Sequence, residues 1–353
     1  MQQEGEHIMS THVARYGRFL PALAAIMAVA GAIFAPAPPS AAAASSAALS
    51  APAHGRGALR IIDLGTFSKG VCCSEANGIN NRGQVVGGSH TKSGSFHAFL
   101  WYRGTMRDLD TLGDQYSTAT AVNDGGTVVG YGRHTATGAL HAFLWYRGTM
   151  HDLGTLGGQT SFATAVNDHG TVVGFRTTAS GAFHAFLWYR GKMRDLGGME
   201  FAYGINNHGD VVGAGFSAHL VVWRNGRIHD LGVAPGFWGV TSVAINDQGQ
   251  IAGTLIGPYN RAFFWQHGHF TLLNLPNSPE SQAVAINDCG QVVGVSGAGS
   301  NTGFVWQAGA YTELPGLIKY LSQPNAINDH GQIAGIAATG SANVNGHAVL
   351  WTR

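Results

Sequence analysis

The chain has 353 residues, of which 52 are Gly and only 11% are Asp, Glu, Lys or Arg. In a typical soluble domain about a quarter of the residues are charged, so this composition indicates a turn-rich, weakly charged β protein. The formal net charge is +1 and the few basic residues are scattered along the sequence, so nothing favours a nucleic-acid partner.

The N-terminal residues differ in kind from the rest of the chain. Arg15 and Arg18 precede an apolar run over residues 19–35, and a stretch of Ala, Pro and Ser follows over residues 36–44. This order is typical of a secretory signal, so residues 1–44 are predicted to be removed on export. An uncleaved anchor is the alternative, because the apolar run is borderline in length for crossing a bilayer. After signal removal we expect no stable membrane span and a secreted protein, extracellular or periplasmic.

Residues 45–57 are rich in Ser, Ala, Pro and Gly and are predicted to be a disordered leader. Residues 58–353 are predicted to be one domain made of seven copies of a single repeat. A motif Asn-Asp/Asn-x-Gly begins, at intervals of 39 to 44 residues, at Asn80, Asn123, Asn167, Asn206, Asn246, Asn287 and Asn328. Each copy also carries a tryptophan, which we interpret as packing between copies: Trp101, Trp145, Trp188, Trp223, Trp265, Trp306 and Trp351.

The third copy predicts four short strands. They run from Ser161 to Val166, Thr171 to Phe175, His184 to Tyr189 and Lys192 to Leu196. The Asn-Asp-x-Gly motif suits a tight hairpin between the first two, because Asn and Asp tolerate turn geometry and Gly supplies a positive φ. Four strands in about 40 residues is the spacing of a β-propeller blade.

The two ends of the chain complement each other. The seventh copy stops at Arg353 without a fourth strand, whereas Ile61 to Gly65 precede the first full copy and match the fourth strands of other copies. An N-terminal strand that completes the last blade would leave no open sheet edge. The sequence therefore predicts an all-β, seven-bladed propeller of four-stranded blades, closed by its N-terminal strand, and a monomer.

The third strand reads His-Ala-Phe-Leu-Trp at residues 97–101, 141–145 and 184–188, and Asp-Leu-Gly-Thr-Leu-Gly follows at residues 152–157. In these motifs the chain, over residues 59–353, resembles the bacterial extracellular HAF repeat family. Later copies depart from the pattern, with Arg261 and Thr302 in place of the histidine. The resemblance implies export and repetition, and it implies no particular activity.

Conspicuous repeated residues are interpreted as scaffold. The five histidines of the third strands (His97, His141, His184, His219 and His347) fall one per copy, far apart around a ring, with no neighbouring ligand in the sequence. We expect each to make a structural hydrogen bond. The Asn-Asp-x-Gly turns offer too few acidic oxygens for calcium. No metal and no cofactor are predicted.

The connections between second and third strands, and from one copy to the next, are longer and more variable, and all lie at one face. Function on scaffolds generally lies in such loops. Trp238 is the one tryptophan outside the repeat, and with Phe237 it could stack on a sugar, although both could instead cover the channel mouth or a neighbouring loop. Further candidate ligand-binding residues are Tyr116, Arg133, Arg176, Tyr259, Lys319 and Tyr320.

Subtracting the repeated aspartates leaves few carboxylates that could perform acid–base chemistry. On the loop face these are Glu75, Asp110, Asp114, Glu200 and Glu280, and we take Glu75, Asp114, Glu200 and Glu280 as catalytic candidates. No nucleophile elbow, phosphate loop or zinc motif occurs in the sequence.

The sequence is compatible with three functions. The leading hypothesis is a non-enzymatic module that binds an extracellular glycan or protein, because a regular scaffold lacks an evident catalytic set. The alternatives are a polysaccharide-acting hydrolase or lyase on a propeller scaffold, and a purely structural element of the cell surface. The sequence does not decide whether the protein is an enzyme. The absence of catalytic motifs from the sequence favours a binding protein.

Overall fold

The computed structural model describes residues 59–68, 73–275, 278–297, 302–318, 322–339 and 346–353. All of them belong to the unit Ala58–Arg353. Over these ranges the regular structure is strand only, and no helix is long and apolar enough to cross a membrane. The predicted signal peptide (1–44) and leader (45–57), and the candidates Lys319 and Tyr320, lie outside the described residues.

The described residues form sets of four antiparallel strands, which we call sheets I to VII. Sheet I contains β2 (Ser74–Ile79), β3 (Val85–His90), β4 (Phe96–Tyr102) and β5 (Thr105–Asp108), and sheet II contains β6 (Gly113–Val122), β7 (Val128–His134), β8 (Leu140–Tyr146) and β9 (Thr149–Asp152). Sheet III contains β10 (Ser161–Val166), β11 (Val172–Thr177), β12 (Phe183–Tyr189) and β13 (Lys192–Asp195), and sheet IV contains β14 (Met199–Ile205), β15 (Val211–Gly215), β16 (Leu220–Arg224) and β17 (Arg227–Gly232).

The remaining strands continue this order. Sheet V contains β18 (Gly239–Ile245), β19 (Ile251–Ile256), β20 (Arg261–Gln266) and β21 (His269–Leu272), and sheet VI contains β22 (Ser281–Ile286), β23 (Val292–Ser296), β24 (Thr302–Gln307) and β25 (Ala310–Glu313). Sheet VII contains β26 (Ser322–Ile327), β27 (Ile333–Ala338), β28 (Gly346–Thr352) and the N-terminal strand β1 (Arg60–Gly65). Sheets I and II are joined by one parallel pair, Phe96 with Tyr116.

The first strand of most sheets carries a bulge, which the facing strand accommodates with a glycine. In sheet III the register shifts between Ala163 and Ala165, and Gly174 lies opposite. A Cβ on Gly174 would lie 1.9 Å from the carbonyl oxygen of Phe162, and one on Gly335 of sheet VII would lie 2.1 Å from that of Gln323. Glycine is therefore required here by close backbone approach.

Strand β1, near the N-terminus, is the fourth strand of sheet VII, whose other three strands are the last three of the chain. It pairs antiparallel with β28 from Arg60–Thr352 to Gly65–Ala348. The hydroxyl of Ser74 in sheet I donates to the carbonyl of Gly65 at 2.6 Å and accepts from the N–H of Ala348 at 2.9 Å. The first and last parts of the fold are thus directly bonded to one another.

The hydrophobic core is divided among the contacts between successive sheets. Trp145 of sheet II packs with Val86, Ala98 and Leu109 of sheet I. Trp351 of sheet VII packs in the same way with residues of sheet VI and is fully buried. In another cluster Leu64 of β1 packs with residues of sheet I, including fully buried Phe99. These tryptophans therefore pack between sheets, as the sequence predicts.

Candidate functional site

The two ends of the sheets differ. We call the end that carries the first-to-second and third-to-fourth strand connections the turn end, and the opposite end the loop end. The turn end is built from short hairpin connections of five residues between first and second strands and two residues between third and fourth strands, and these recur from sheet to sheet. The loop end carries the variable connections.

At the turn end, the first Asn of each motif links its sheet to the next. In sheet III the side-chain oxygen of Asn167 accepts from the N–H groups of His169 and Thr171, and its amide donates to the carbonyl of Asn206 in sheet IV at 3.1 Å. The same amide-to-carbonyl bond, 2.8–3.2 Å long, joins each motif to the next through Asn80, Asn123, Asn167, Asn206, Asn246, Asn287 and Asn328, and from Asn328 back to Asn80. The buried asparagines thus form a cycle of hydrogen bonds.

The second residue of each motif forms another cycle beside the first. Its side-chain oxygen accepts from the backbone N–H of the preceding motif at 2.7–2.9 Å; the residues are Asn81, Asp124, Asp168, Asn207, Asp247, Asp288 and Asp329. Both cycles line one depression of about 180 Å³ that opens to solvent. Sequence reasoning assigned these residues to turn chemistry and missed that the fold gathers five carboxylates around a common opening.

Two asparagines moderate the repulsion within this opening. The Asn81 amide donates to Asp124 and Asp329, and the Asn207 amide donates to Asp168 and Asp247. Asp288 lies beside a different amide, that of Gln248, whose nitrogen can donate to its carboxylate at 3.1 Å. Burial raises the pKa of Asp288, and the neighbouring charges of Asp329 and Asp247 raise it further, although the N–H of Asp247 opposes the shift. In the described part of the chain no group of three or more His, Cys, Asp or Glu side chains is placed to hold a metal ion.

At the loop end, each of the five repeated histidines bonds a fourth-strand aspartate through Nδ1 at 2.8–3.0 Å. The pairs are His97–Asp108, His141–Asp152, His184–Asp195, His219–Asp230 and His347–Asp63. The expected structural hydrogen bond is therefore present. Spacing along the sequence did not reveal these carboxylate neighbours, because antiparallel pairing brings together residues eleven apart in sequence and, for His347, residues at opposite ends of the chain.

Arg176, a predicted ligand-binding residue, belongs to this scaffold. It is buried, and its guanidinium donates to Asp195 at 2.6 Å. Burial alone raises the pKa of Asp195, but the N–H of Gly197, the bond to His184 and the Arg176 charge together bring that pKa below its ordinary value. Arg176 is thus placed to stabilise a carboxylate.

Glu75, a predicted catalytic carboxylate, lies on the first strand of sheet I and contacts sheet II. Its carboxylate accepts from the Asn77 amide and the Thr118 hydroxyl, each at 3.3 Å. Burial raises the pKa of Glu75 to about 7, and these two hydrogen bonds oppose that shift. Near neutral pH this carboxyl is therefore divided between its acid and its charged form, as a general acid or base requires.

Replacing Glu75 by Gln is expected to stabilise the protein at and above neutral pH. Because the folded-state pKa lies above the unfolded value, the protonated form is favoured in the fold, and stability is lost as pH rises from about 4.5 to about 7. The variant should gain up to about 3 kcal/mol above pH 7 and nothing below pH 4. Denaturant unfolding at pH 4 and pH 8 measures this. The exposed Glu313→Gln is the control, and an equal gain at both pH values would contradict the prediction.

Tyr116 and Tyr131 extend the environment of Glu75. Tyr116 stacks on Phe96 with ring centroids 5.8 Å apart and lies 6.3 Å from the Tyr131 ring. Burial and the Glu75 charge raise the pKa of Tyr116 to about 12. Tyr116 therefore packs between the third strand of sheet I and the second strand of sheet II.

The other carboxylate candidates lie in separate surroundings. Asp114 faces Arg133, with the Arg133 Nε 3.9 Å from the carboxylate, and Arg133 also donates to the carbonyl of Gly138. Burial raises the pKa of Glu200, and the nearby His184 lowers it. The backbone of Glu280 bonds Ser278 and Gly297. Among the described residues, no hydrogen bond joins any two of these carboxylates.

Three exposed aromatic side chains lie on adjoining loops at the loop end of sheets IV and V. Phe216, Trp238 and Tyr259 expose 55%, 56% and 57% of their surface. Phe237, by contrast, covers the backbone of Gly257, where it leaves no room for a Cβ. Phe237 therefore covers a neighbouring loop, which was one of the two expectations for this pair. Trp238 faces solvent and is available to stack on a ligand. We call Phe216, Trp238 and Tyr259 the aromatic cluster.

The loops that carry the aromatic cluster are bonded to one another. The N–H of Trp238 donates to Ile256 at 3.0 Å, next to the turn that holds Tyr259. The N–H of Val240 donates to Ala218 at 2.9 Å, within the turn that holds Phe216. Phe216 also lies 5.3 Å from the His184 ring of sheet III. Sequence reasoning missed Phe216, although it shares with Trp238 the signal of an aromatic residue in a loop outside the repeat.

No family model matches this sequence, and no curated protein is significantly similar to it. Among solved structures, a chain of the mitotic checkpoint complex is similar with 15% identity and a TM-score of 0.53, covering 88% of this chain and 99% of that one. The β-propeller domain of the Trilobed protease from Pyrococcus furiosus has 10% identity and a TM-score of 0.48, covering 67% of this chain and 80% of its own. TolB from Acinetobacter baumannii has 11% identity and a TM-score of 0.43, covering 68% and 64%. At these identities the likeness concerns the fold alone.

Proposed function

We propose that residues 58–353 form a closed seven-bladed β-propeller that serves as a non-enzymatic binding module for an extracellular glycan. Sheets I to VII are the blades. The proposal of closure is supported by the pairing of β1 with β28 and by the return of the asparagine cycle from Asn328 to Asn80. Secretion and membership in the HAF repeat family are part of this proposal and rest on the sequence motifs.

The aromatic cluster carries the proposal of binding. Large apolar rings that are more than half exposed leave hydrophobic area in water, and several of them on adjoining loops commonly mark a binding surface. Phe216, Trp238 and Tyr259 meet this description, and the bonds between their loops fix the loops relative to one another. Aromatic rings of this kind can stack on the apolar faces of sugar rings, while Trp and Tyr add one polar group each.

Trp238→Ala is expected to weaken glycan binding at least about tenfold without lowering stability, because an exposed ring at the centre of an interface contributes to binding and little to the core. A glycan array identifies the ligand, and titration calorimetry with that ligand measures the loss. Tyr311→Ala is the matched control, since Tyr311 is also exposed but lies on the outer strand β25.

Each result of that experiment decides between functions. Equal loss in both variants, or no glycan bound at all, would contradict a binding site at the aromatic cluster. If no glycan on the array binds and both variants keep the stability of the wild type, a purely structural surface element would be favoured.

A polysaccharide-acting hydrolase or lyase is the second candidate, and the raised pKa of Glu75 favours it. A carboxyl with a pKa of about 7 can donate or accept a proton at neutral pH. A screen for polysaccharide turnover with the wild type and Glu75→Gln decides between the candidates. Turnover that disappears in the variant supports the enzyme, and binding without turnover supports the binding module.

A further inference from the structure

Exposed basic side chains lie on four successive hairpins at the turn end. Hairpin β4–β5 carries Arg103 and Arg107, β8–β9 carries Arg147, and β12–β13 carries Arg190, Lys192 and Arg194; all six are exposed. The fourth, β16–β17, carries Arg227 and Arg224, and Arg224 pairs with Asp210. We call the six residues of the first three hairpins the basic arc. The corresponding hairpin β24–β25 of sheet VI carries no basic residue. The positive charge is thus asymmetric around a repeated framework.

The fold does not require these charges. Arg103, Arg147 and Arg190 each take the first position of a two-residue turn, with φ of 49°, 50° and 48°. Ala308 takes the same position in hairpin β24–β25 with φ of 49°, so a basic side chain is not needed for this turn. Across the described residues, arginine–carboxylate ion pairs involve only Arg133, Arg176 and Arg224. The basic arc therefore has no ion-pair partner in the fold.

The guanidinium groups of the arc are held in place by aromatic rings. Those of Arg103, Arg147 and Arg190 lie 5.0, 5.2 and 5.1 Å from the ring of the tyrosine that precedes each of them. Such cation–π contacts fix the group. In the described part of the chain no hydrogen bond engages the N–H groups of these three side chains. They are therefore free to bind an external acceptor.

Two further arginines connect neighbouring hairpins. Arg107 of sheet I lies over the Trp145 ring of sheet II at 5.1 Å, and its Nη2 lies 3.5 Å from where a Cβ would stand on Gly148. It is thus beside the turn that carries Arg147. Arg194 of sheet III lies over Trp223 of sheet IV at 5.0 Å. Arg107 therefore joins the first two hairpins of the arc, and Arg194 extends the third towards sheet IV.

We propose that the basic arc binds an acidic polysaccharide built of uronic acids. A planar guanidinium binds a carboxylate through two parallel hydrogen bonds, and the arc presents such groups at successive hairpins. The half-exposed rings of Tyr146 and Tyr189 beside two of these arginines can contact sugar C–H groups. This site is independent of the aromatic cluster, which lies at the loop end.

The depression at the same end distinguishes this ligand from nucleic acid. Its five aspartates repel anions. A DNA duplex, with one negative charge per about 1.7 Å, would be repelled by them wherever it crossed this end of the protein. A polyuronate carries about one charge per sugar and can follow the rim. Charge density thus favours the polysaccharide.

The test is binding of the full protein to immobilised alginate, with dextran sulfate, duplex DNA and neutral dextran as separate arms. The triple variant R103A/R147A/R190A is expected to lose at least tenfold in alginate affinity, and affinity should fall as salt rises. The triple Arg→Lys variant should recover part of it, since it keeps the charge and loses the paired hydrogen bonds. Unchanged melting temperatures separate these effects from unfolding.

A matched pair of single variants controls for net charge. Arg147→Ala and Lys92→Ala each remove one exposed positive charge, and Lys92 lies at the loop end. Only Arg147→Ala should weaken alginate binding. Equal loss in both variants, absence of alginate binding, or stronger binding to dextran sulfate or DNA at the same ionic strength would each overturn the proposal.

Discussion

Deletion of residues 59–66 should lower the free energy of unfolding by about 5 kcal/mol or more, because it removes β1 from sheet VII. Leu64 of this strand is buried against sheet I, and Ile61 packs in the cluster that contains Trp351. Each such side chain is worth about 2–5 kcal/mol when it is lost from a core. The deletion also leaves the N–H and C=O groups of β28 unpaired at an open sheet edge. Guanidinium unfolding followed by circular dichroism measures the loss.

Point variants within β1 separate packing from a general effect of shortening the chain. Leu64→Ala should cost about 2–4 kcal/mol, whereas Ile62→Ala, on a side chain that is 40% exposed, should cost less than about 1 kcal/mol. A synthetic peptide of residues 59–66 should restore stability to the deleted protein. An unchanged unfolding midpoint after deletion would rule out the proposed closure.

Asn167→Ala should lower the free energy of unfolding by about 2–4 kcal/mol, because this one buried side chain makes hydrogen bonds to the backbone of two turns. Its oxygen accepts from His169 and Thr171, and its amide donates to the carbonyl of Asn206 in the next sheet. Removing it leaves buried backbone groups unpaired, at a cost of about 1–3 kcal/mol each before relaxation. Equilibrium unfolding again provides the measurement.

Two companion variants show which bonds carry this effect. Asn225→Ala, at an exposed turn position that Ala308 also takes with a similar φ, should change stability by less than about 1 kcal/mol. Asn167→Asp keeps the acceptor for its own turn and loses the donor to Asn206. It should therefore be less harmful at low pH, where the acid is neutral, than at pH 8. Equal costs for Asn167→Ala and Asn225→Ala would exclude a special role of the asparagine cycle.

Local structure followed closely from sequence. The strands predicted in the third copy end within two residues of β10 to β13, because alternation of apolar residues and a fixed Asn-Asp-x-Gly turn specify a hairpin without help from distant residues. The all-β class and the pairing of Ile61 to Gly65 with the last strand were also accessible, since each repeat can be compared with the others.

The site was less accessible to sequence reasoning. Trp238 was found because it stands outside the repeat, whereas Phe216 was overlooked and Phe237 proved to cover Gly257. Arg176 looked like a loop residue and is buried against Asp195. The exposure of a loop side chain depends on which other loops and strands lie beside it, and the packing of neighbouring sheets decides that.

By itself, the sequence determined the repeat, its strands and the placement of the missing strand, because these depend on short-range spacing and on similarity between copies. Only the tertiary structure decided which charges meet. Basic residues that are scattered along the chain come to lie on successive hairpins, and aspartates about 40 residues apart come to line one depression. The physical reason is that electrostatic interaction depends on distance in space, and packing of equivalent sheets places equivalent positions side by side.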